Sequence, residues 1–215
     1  MKIAVIGTGM VGSTIGTKLI QLGHQVKMGS RTAGNEKAAA WSKGAGGQAS
    51  QGTFADAAAF GEMVFNCTSG EGALPALTAA GAENLDGKVL IDVSNPLDFS
   101  QGRPPQLSVC NTDSLGEQIQ AAFPGVKVVK TLNTMNCTLM VNPAALPGEH
   151  DVFVSGNDAD AKAEVAEKLK SWFGWKNVID LGDISTARGT EMLLPLWLRL
   201  MGALHTAQFN FHVVR

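Results

Sequence analysis

Gly7, Gly9 and Gly12 stand in the order G-x-G-x-x-G, directly after the apolar run at 2–6 and directly before a segment of helical periodicity. That spacing suits a pyrophosphate. The first glycine permits a tight turn off a strand, the second lets the backbone approach the phosphates, and the third lets the helix pack closely on the strand. Thr8, Met10 and Val11 fill the gaps of the motif. Their backbone N–H groups belong to a helix N-terminus, whose dipole favours anions. A second strand is expected at 25–28. Just beyond it an NAD site would carry an acid for the ribose 2′-hydroxyl; this chain has Ser30, Arg31 and Thr32 instead. Arg31 can pair through its planar fork with a 2′-phosphate, Ser30 and Thr32 can add hydroxyls, and Lys37 adds a charge if the loop folds back. The pattern predicts NADP(H).

The elements that must position these residues read as α/β throughout. In the first helix Leu19, Ile20 and Leu22 supply an apolar face and Gly23 a stop. Further strands are expected at 63–68, 88–94, 126–132, 151–155 and 177–181. Between them lie helices at 33–47, 54–60 (capped by Thr53), 73–80, 114–122 and 159–173. The last helix, 186–204, should break near Pro195, whose ring denies the helix an N–H. Open α/β sheets place ligands at the carboxyl ends of their strands. Thr68 and Ser69, Asn95, and the run Asn133, Met135, Asn136 and Cys137 all fall at such ends. Asn95 precedes a proline, so it reads equally as a turn residue and as an amide facing a nicotinamide. Met135 reads first as core filler. The Pro- and Gly-rich loop 98–107 is placed to cover a site.

The 215 residues carry 17 basic and 19 acidic side chains, well mixed. No basic stripe invites nucleic acid and no basic amphipathic helix invites a membrane. The run after Met1 is too short for a secretory signal, and the longest apolar stretch, 192–204, is interrupted by Pro195 and Arg199. Three cysteines without CxxC spacing fit a reducing cytoplasm and argue against a disulfide framework or a metal site. No catalytic constellation stands out. The chain has no Tyr, and His24, His150, His205 and His212 are scattered. His24 is expected at the surface, His205 and His212 are the two candidates for a pocket, and Trp172, Trp175 and Trp197 read as core or interface anchors.

Taken together, residues 7–12, Gly29-Ser30-Arg31, DVSNPL at 92–97, KTLN at 130–133, the run 182–188, Glu191 and Pro195 make the chain resemble the F420-dependent NADP oxidoreductases. The resemblance implies an α/β fold: a Rossmann-like doubly wound, mostly parallel sheet over 1–215, with a short C-terminal helical extension at 186–215. It implies a homodimer and NADPH lying along 8–11 and Ser30-Arg31, with Thr68, Ser69 and Asn95 nearer the nicotinamide half. It also implies that the deazaflavin ring of F420, or a flavin in its place, stacks in a cleft bordered by 133–137 and by Ser185, Thr186 and Arg188. Hydride transfer between two stacked rings needs proximity, orientation and exclusion of water, and no dedicated acid.

Two other functions fit the same residues. One is an NADPH-dependent reductase of a different small acceptor, such as an imine, a carbonyl or a ferric chelate. The other is an NADP-binding sensor without catalysis. A hydroxyacid dehydrogenase would need a catalytic lysine and a long helical second domain, whereas helix 186–204 has no Lys and about 30 residues follow the last strand, short for a domain.

Overall fold

The computed structural model describes residues 1–215. The first half runs β1 (Lys2–Ile6), α1 (Met10–Gln21), β2 (Gln25–Ser30), α2 (Glu36–Ala45), β3 (Ala49–Thr53), α3 (Phe54–Phe60), β4 (Met63–Asn66), α4 (Gly70–Ala80), α5 (Ala82–Leu85) and β5 (Val89–Asp92). A two-stranded hairpin follows, β6 (Leu97–Asp98) with β7 (Gln106–Leu107), inside the loop expected to cover a site. The second half runs α6 (Leu115–Ala122), β8 (Lys127–Thr131), α7 (Cys137–Val141), β9 (Asp151–Ser155), α8 (Ala159–Lys168), β10 (Asn177–Gly182), α9 (Ala187–Met192) and α10 (Leu194–Leu204).

Eight strands form one sheet in the order β10-β9-β8-β5-β4-β1-β2-β3. The central strands are short apolar runs buried on both faces, as a doubly wound sheet requires. Alternation along β1 sends Ile3 and Val5 into one core layer, with Ile15 and Leu19 of α1, and Ala4 and Ile6 into the other, with Ala57 of α3 and Leu77 of α4. All neighbours from β3 across to β8 are parallel. The strand order reverses between β1 and β4, so the switch point lies between Gly7 and Cys67.

Several sequence expectations need correcting. Strand β3 was not expected, because ASQGT has no apolar alternation. It is an edge strand held by its parallel ladder to β2, and Gly52 is its one buried residue. Strand β2 extends through Gly29 and Ser30. Strand β9 pairs antiparallel with β8, while β10 pairs parallel with β9. The chain between Thr131 and Asp151 holds the five-residue α7 and a 3-10 turn at Pro143–Ala145 and does not cross back over the sheet. It therefore re-enters from the edge it left. In α1 the buried face is Gly12, Ile15, Gly16 and Leu19, and Leu22 is exposed. The helix at 159–173 is α-helical only to Lys168 and continues as a π turn, Leu169–Phe173. The expected break lies at Leu193, with Pro195 in the first turn of α10, where its missing N–H costs no hydrogen bond. His24 is half-buried against Trp172, with ring centroids 4.6 Å apart, and its Nε2 is sealed from solvent without a partner. Burial, then the N-terminal amine and Lys168, lower its pKa.

The three tryptophans behave as packing anchors. Trp175 is 2% exposed, Trp172 packs against the core, and Trp197 stacks on Phe209 at 5.3 Å. No helix is long and apolar enough to cross a membrane.

Candidate dinucleotide site

The three motif glycines of the turn after β1 sit in three different surroundings. Gly7 has φ +122° and lies against the Cys67 carbonyl, so a side chain there would be strained and would meet that oxygen at 2.6 Å. A Cβ on Gly12 would run into the Gly7 carbonyl oxygen, which fixes how closely α1 sits on β1. Gly9 is the opposite case. Nothing lies within 4 Å of where its Cβ would be, so the turn is open on this side. Gly9 is also the N-cap of α1 and provides no side-chain acceptor for the first-turn N–H groups. The helix therefore presents unsatisfied donors and its positive dipole end to open space, which fits a pyrophosphate. Met10 covers part of the approach and is 77% exposed; Thr8 and Val11 are half-buried.

A second helix start faces the same switch point. Helix α4 begins at Gly70 after Ser69, whose hydroxyl makes no cap bond. Sequence reasoning missed Gly70. A Cβ there would collide with the Asn95 carbonyl, so only glycine lets the turn after β4 nest against the turn after β5. The neighbouring Thr68 donates its hydroxyl to Asn66 Oδ1 at 2.7 Å.

At the end of β2, Ser30 is buried and donates to the Thr32 carbonyl at 2.7 Å. Its hydroxyl proton is used inside the turn, so Ser30 shapes the loop more than it offers a donor. Arg31 and Thr32 are exposed, and Arg31 has no acidic partner. Lys37 is exposed in the first turn of α2, which Asn35 caps. A loop contact the sequence did not signal, from the Gly34 N–H to Gln51 Oε1, ties this turn to β3.

Asn95 and Asn133 come together. Asn95 Nδ2 donates to the Asn133 carbonyl at 2.8 Å, and Asn133 Nδ2 donates to Asn95 Oδ1 at 2.9 Å. The residue between β8 and Asn133, Leu132, is buried at φ +62°. A branched side chain in the left-handed region is strained, and such strain persists where packing over-determines it. Met135 is buried in the core. Asn136 caps α7 by accepting from the Thr138 N–H, and the Cys137 thiol accepts from Thr14 of α1 at 3.7 Å.

Ser185, Thr186 and Arg188 make their polar contacts elsewhere. Ser185 donates to Asp183, and Thr186 to the Ser155 hydroxyl. Arg188 forks onto Glu117 of α6; this hydrogen bonding holds the Glu117 carboxyl below the usual carboxylate range.

The largest omission from the sequence reading lies below the turns. Lys130 of β8 is fully buried and touches Asp92 Oδ2 at 2.7 Å and Glu191 Oε1 at 2.8 Å. Burial alone would lower its pKa, but Asp92 and Glu191 together raise it above the ordinary lysine value. The signal was present: an acid and a lysine inside strands otherwise apolar, VLID and KVVKT. Cys67 is not a nucleophile candidate: it is buried, and burial first, then Asp92, pushes its thiol pKa up.

A family model described as NADP oxidoreductase coenzyme F420-dependent matches residues 2–96. A crystal structure from Arthrobacter sp. FB24, named a "putative f420 dependent nadp-reductase", is 57% identical, covers 100% of both chains and has a TM-score of 0.94. The chain is also similar to metalloreductase STEAP3 of Rattus norvegicus, 30% identical over 204 residues, or 91% of this chain. It spans 38% of that relative's length. A Streptomyces aurantiacus imine reductase shares the fold at TM-score 0.67 and 18% identity, over 95% of this chain and 64% of that one.

Proposed function

The chain belongs to the family of F420-dependent NADP oxidoreductases, and from that premise we propose that it moves hydride between NADPH and a deazaflavin or flavin-like acceptor. The observation that carries the cofactor half is the open side of Gly9 at an α1 N-terminus that no side chain caps. The pyrophosphate lies there, and the 2′-phosphate is taken by Arg31 with support from Thr32 and Lys37. Thr68, Ser69 and the Asn95–Asn133 pair line the nicotinamide half. NADPH supplies the hydride. The chain's own groups bind, orient and exclude water, and no side chain in the site is asked to move a proton.

The acceptor ring stacks beside the segment 133–137, whose Cys137 is held against α1. Ser185, Thr186 and Arg188 border this cleft through the positions of Asp183 and Glu117 rather than through free polar groups. The whole chain acts as one NADP-binding unit with 186–215 as its helical extension. A second copy of the chain covers α10, where only Leu194 is buried and Leu196 and Leu204 are 50% and 54% exposed.

The test is anaerobic NADPH oxidation followed by absorbance, with F420, FMN, FAD, riboflavin and a ferric chelate as acceptors. Turnover with F420 and NADPH, and not with NADH, supports both halves of the reading. The similarity to a metalloreductase favours ferric chelate as the second acceptor to examine. Turnover with flavin alone keeps the flavin-like reading and removes F420, turnover only with iron replaces the acceptor, and no NADPH binding at all overturns the proposal.

A further inference from the structure

Asp92, Lys130 and Glu191 form a charged cluster whose side chains are 0–1% exposed. Each carboxylate oxygen faces at least one N–H donor. Asp92 Oδ2 faces Lys130, and Asp92 Oδ1 accepts from Asn66 Nδ2 at 2.8 Å and from the Ser94 N–H at 3.1 Å, as well as from the Ser94 hydroxyl. Glu191 accepts from Lys130 and from the Leu115 and Gly116 N–H groups at 2.8 and 3.0 Å. An acid proton would meet these donors, so both acids are ionised. With one ammonium between them, the cluster holds a net charge of −1 sealed from water.

The cluster reaches the ligand edge at two points. Asn66 accepts from Thr68 at 2.7 Å, and Lys130 donates to the Ser94 carbonyl at 2.7 Å, one residue before Asn95. Thr68 and Asn95 are the residues assigned above to the nicotinamide half.

We propose that the Asp92–Lys130–Glu191 cluster is a positioning element with an electrostatic role: its uncompensated negative charge favours the cationic over the neutral nicotinamide at this edge, while its hydrogen bonds fix the turn that carries Asn95. This rests on the placement of the dinucleotide given under Proposed function. Loss of a hydride, which is itself two electrons and a proton, would leave the bound nicotinamide positive; the deazaflavin-class acceptor would take that hydride and one further proton from solvent. A fixed buried charge stabilises that form without reorganisation, and salt screens it weakly.

The experiment is calorimetric titration of wild-type, Glu191→Gln and Asp92→Asn protein with NADP+ and with NADPH. Either substitution neutralises the cluster. The affinity for NADP+ relative to NADPH then falls by about tenfold, the scale of one unit charge acting through a protein's effective dielectric. The change persists from low to high salt. A purely structural role weakens both forms together, so an unchanged ratio in a folded variant overturns the proposal. The wild type provides a reading that needs no buried substitution: it binds NADP+ at least as tightly as NADPH, and a tenfold preference for NADPH overturns the proposal even if both variants fail to fold. Wild-type protein that binds neither form fails the placement of the dinucleotide itself and takes this proposal with it.

Discussion

Lys130→Met removes the one cation that two buried carboxylates share. The side chain keeps an unbranched apolar stem out to the ε-carbon and loses the ammonium, so the loss is mainly electrostatic. Three contacts go: Asp92 and Glu191, at 2.7 and 2.8 Å, and the Ser94 carbonyl, at 2.7 Å. Breaking a buried pair from one side typically costs about 3–5 kcal/mol, because the remaining charge stays in low dielectric. Here two charges remain, so the upper part of that range applies, roughly 4–5 kcal/mol, against about 1 kcal/mol for an ordinary substitution. With a urea slope of about 2–3 kcal/mol/M, the midpoint falls by roughly 1.5–2 M.

The pH dependence separates this cause from simple packing loss. In the variant Asp92 Oδ2 has lost its donor, while both Glu191 oxygens keep the Leu115 and Gly116 N–H groups; a proton is then taken up more readily at Asp92 in the folded than in the unfolded chain. The folded state then binds more protons, and stability falls as pH rises from 5 to 8. The wild-type group behaves differently. The folded pKa of Lys130 is raised, so its contribution is complete below the unfolded value near 10.4 and is lost only as pH climbs through the still higher folded value. Between pH 5 and 8 it therefore adds no slope. Urea unfolding by circular dichroism at pH 5, 6.5 and 8 reads both effects. A loss below about 1 kcal/mol, or a variant with the wild-type pH profile, refutes the reasoning.

Four other substitutions probe the turns. Arg31→Ala weakens NADPH binding by about tenfold to a hundredfold, the range of a charge-assisted hydrogen bond, and leaves NADH binding unchanged; fluorescence titration with both cofactors checks this, and equal losses remove Arg31 from the 2′-phosphate. Gly9→Val and Gly12→Val part company: the Gly9 side chain enters open space, so that variant keeps its circular dichroism spectrum and loses cofactor binding, whereas the Gly12 side chain meets the Gly7 carbonyl and lowers the melting temperature. Gly70→Ala drives a methyl into the Asn95 carbonyl; we expect a loss of about 1–3 kcal/mol, typical of overpacking, together with weaker NADPH binding, and an unperturbed variant would show that the two turns do not need this contact.

What the sequence disclosed follows from the range of the interactions involved. The motif 7–12 is legible because its spacing is local: Gly12 is explained by the Gly7 carbonyl of its own turn, although Gly7 itself is confined by the distant Cys67 carbonyl and Gly9 faces open space. The Thr53 cap is local too, and it appears as a full capping box with Asp56. Strand β3 was invisible because its stability lies in the ladder to β2 and not in its own side chains. The direction of β9 depends on the path the chain takes between Thr131 and Asp151, which the apolar run of the strand does not disclose. Asn95 and Asn133 were singled out separately, 38 positions apart, and nothing in either segment announces that the two amides close on each other. Glu191 was noticed as part of a pattern and given no task, because its partners, Leu115, Gly116 and Lys130, come from elements far away in sequence.

These long-range contacts also account for how the proposed site, which asks no acid or base of the chain, would be precise. A ring-to-ring hydride transfer is sensitive to distance and angle, so rigidity must come from below the site. The turns after β4, β5 and β8 all carry candidate residues, and all three are tied to one buried network: β4 through Asn66, β5 through Asp92 and Ser94, β8 through Lys130. Glu191 extends it to α9 and to the start of α6. Replacing the three charged side chains by apolar ones of similar volume removes the cost of burying ions, leaves the Asn66 amide and the Leu115 and Gly116 N–H groups without their acceptors, and cuts the turns loose from one another. On that reasoning the combined Asp92→Leu, Lys130→Met and Glu191→Leu variant stays folded, binds the adenosine half of the cofactor through Arg31, and loses turnover far more than NADPH affinity. Retained turnover in such a folded variant would show that the turns hold their own geometry.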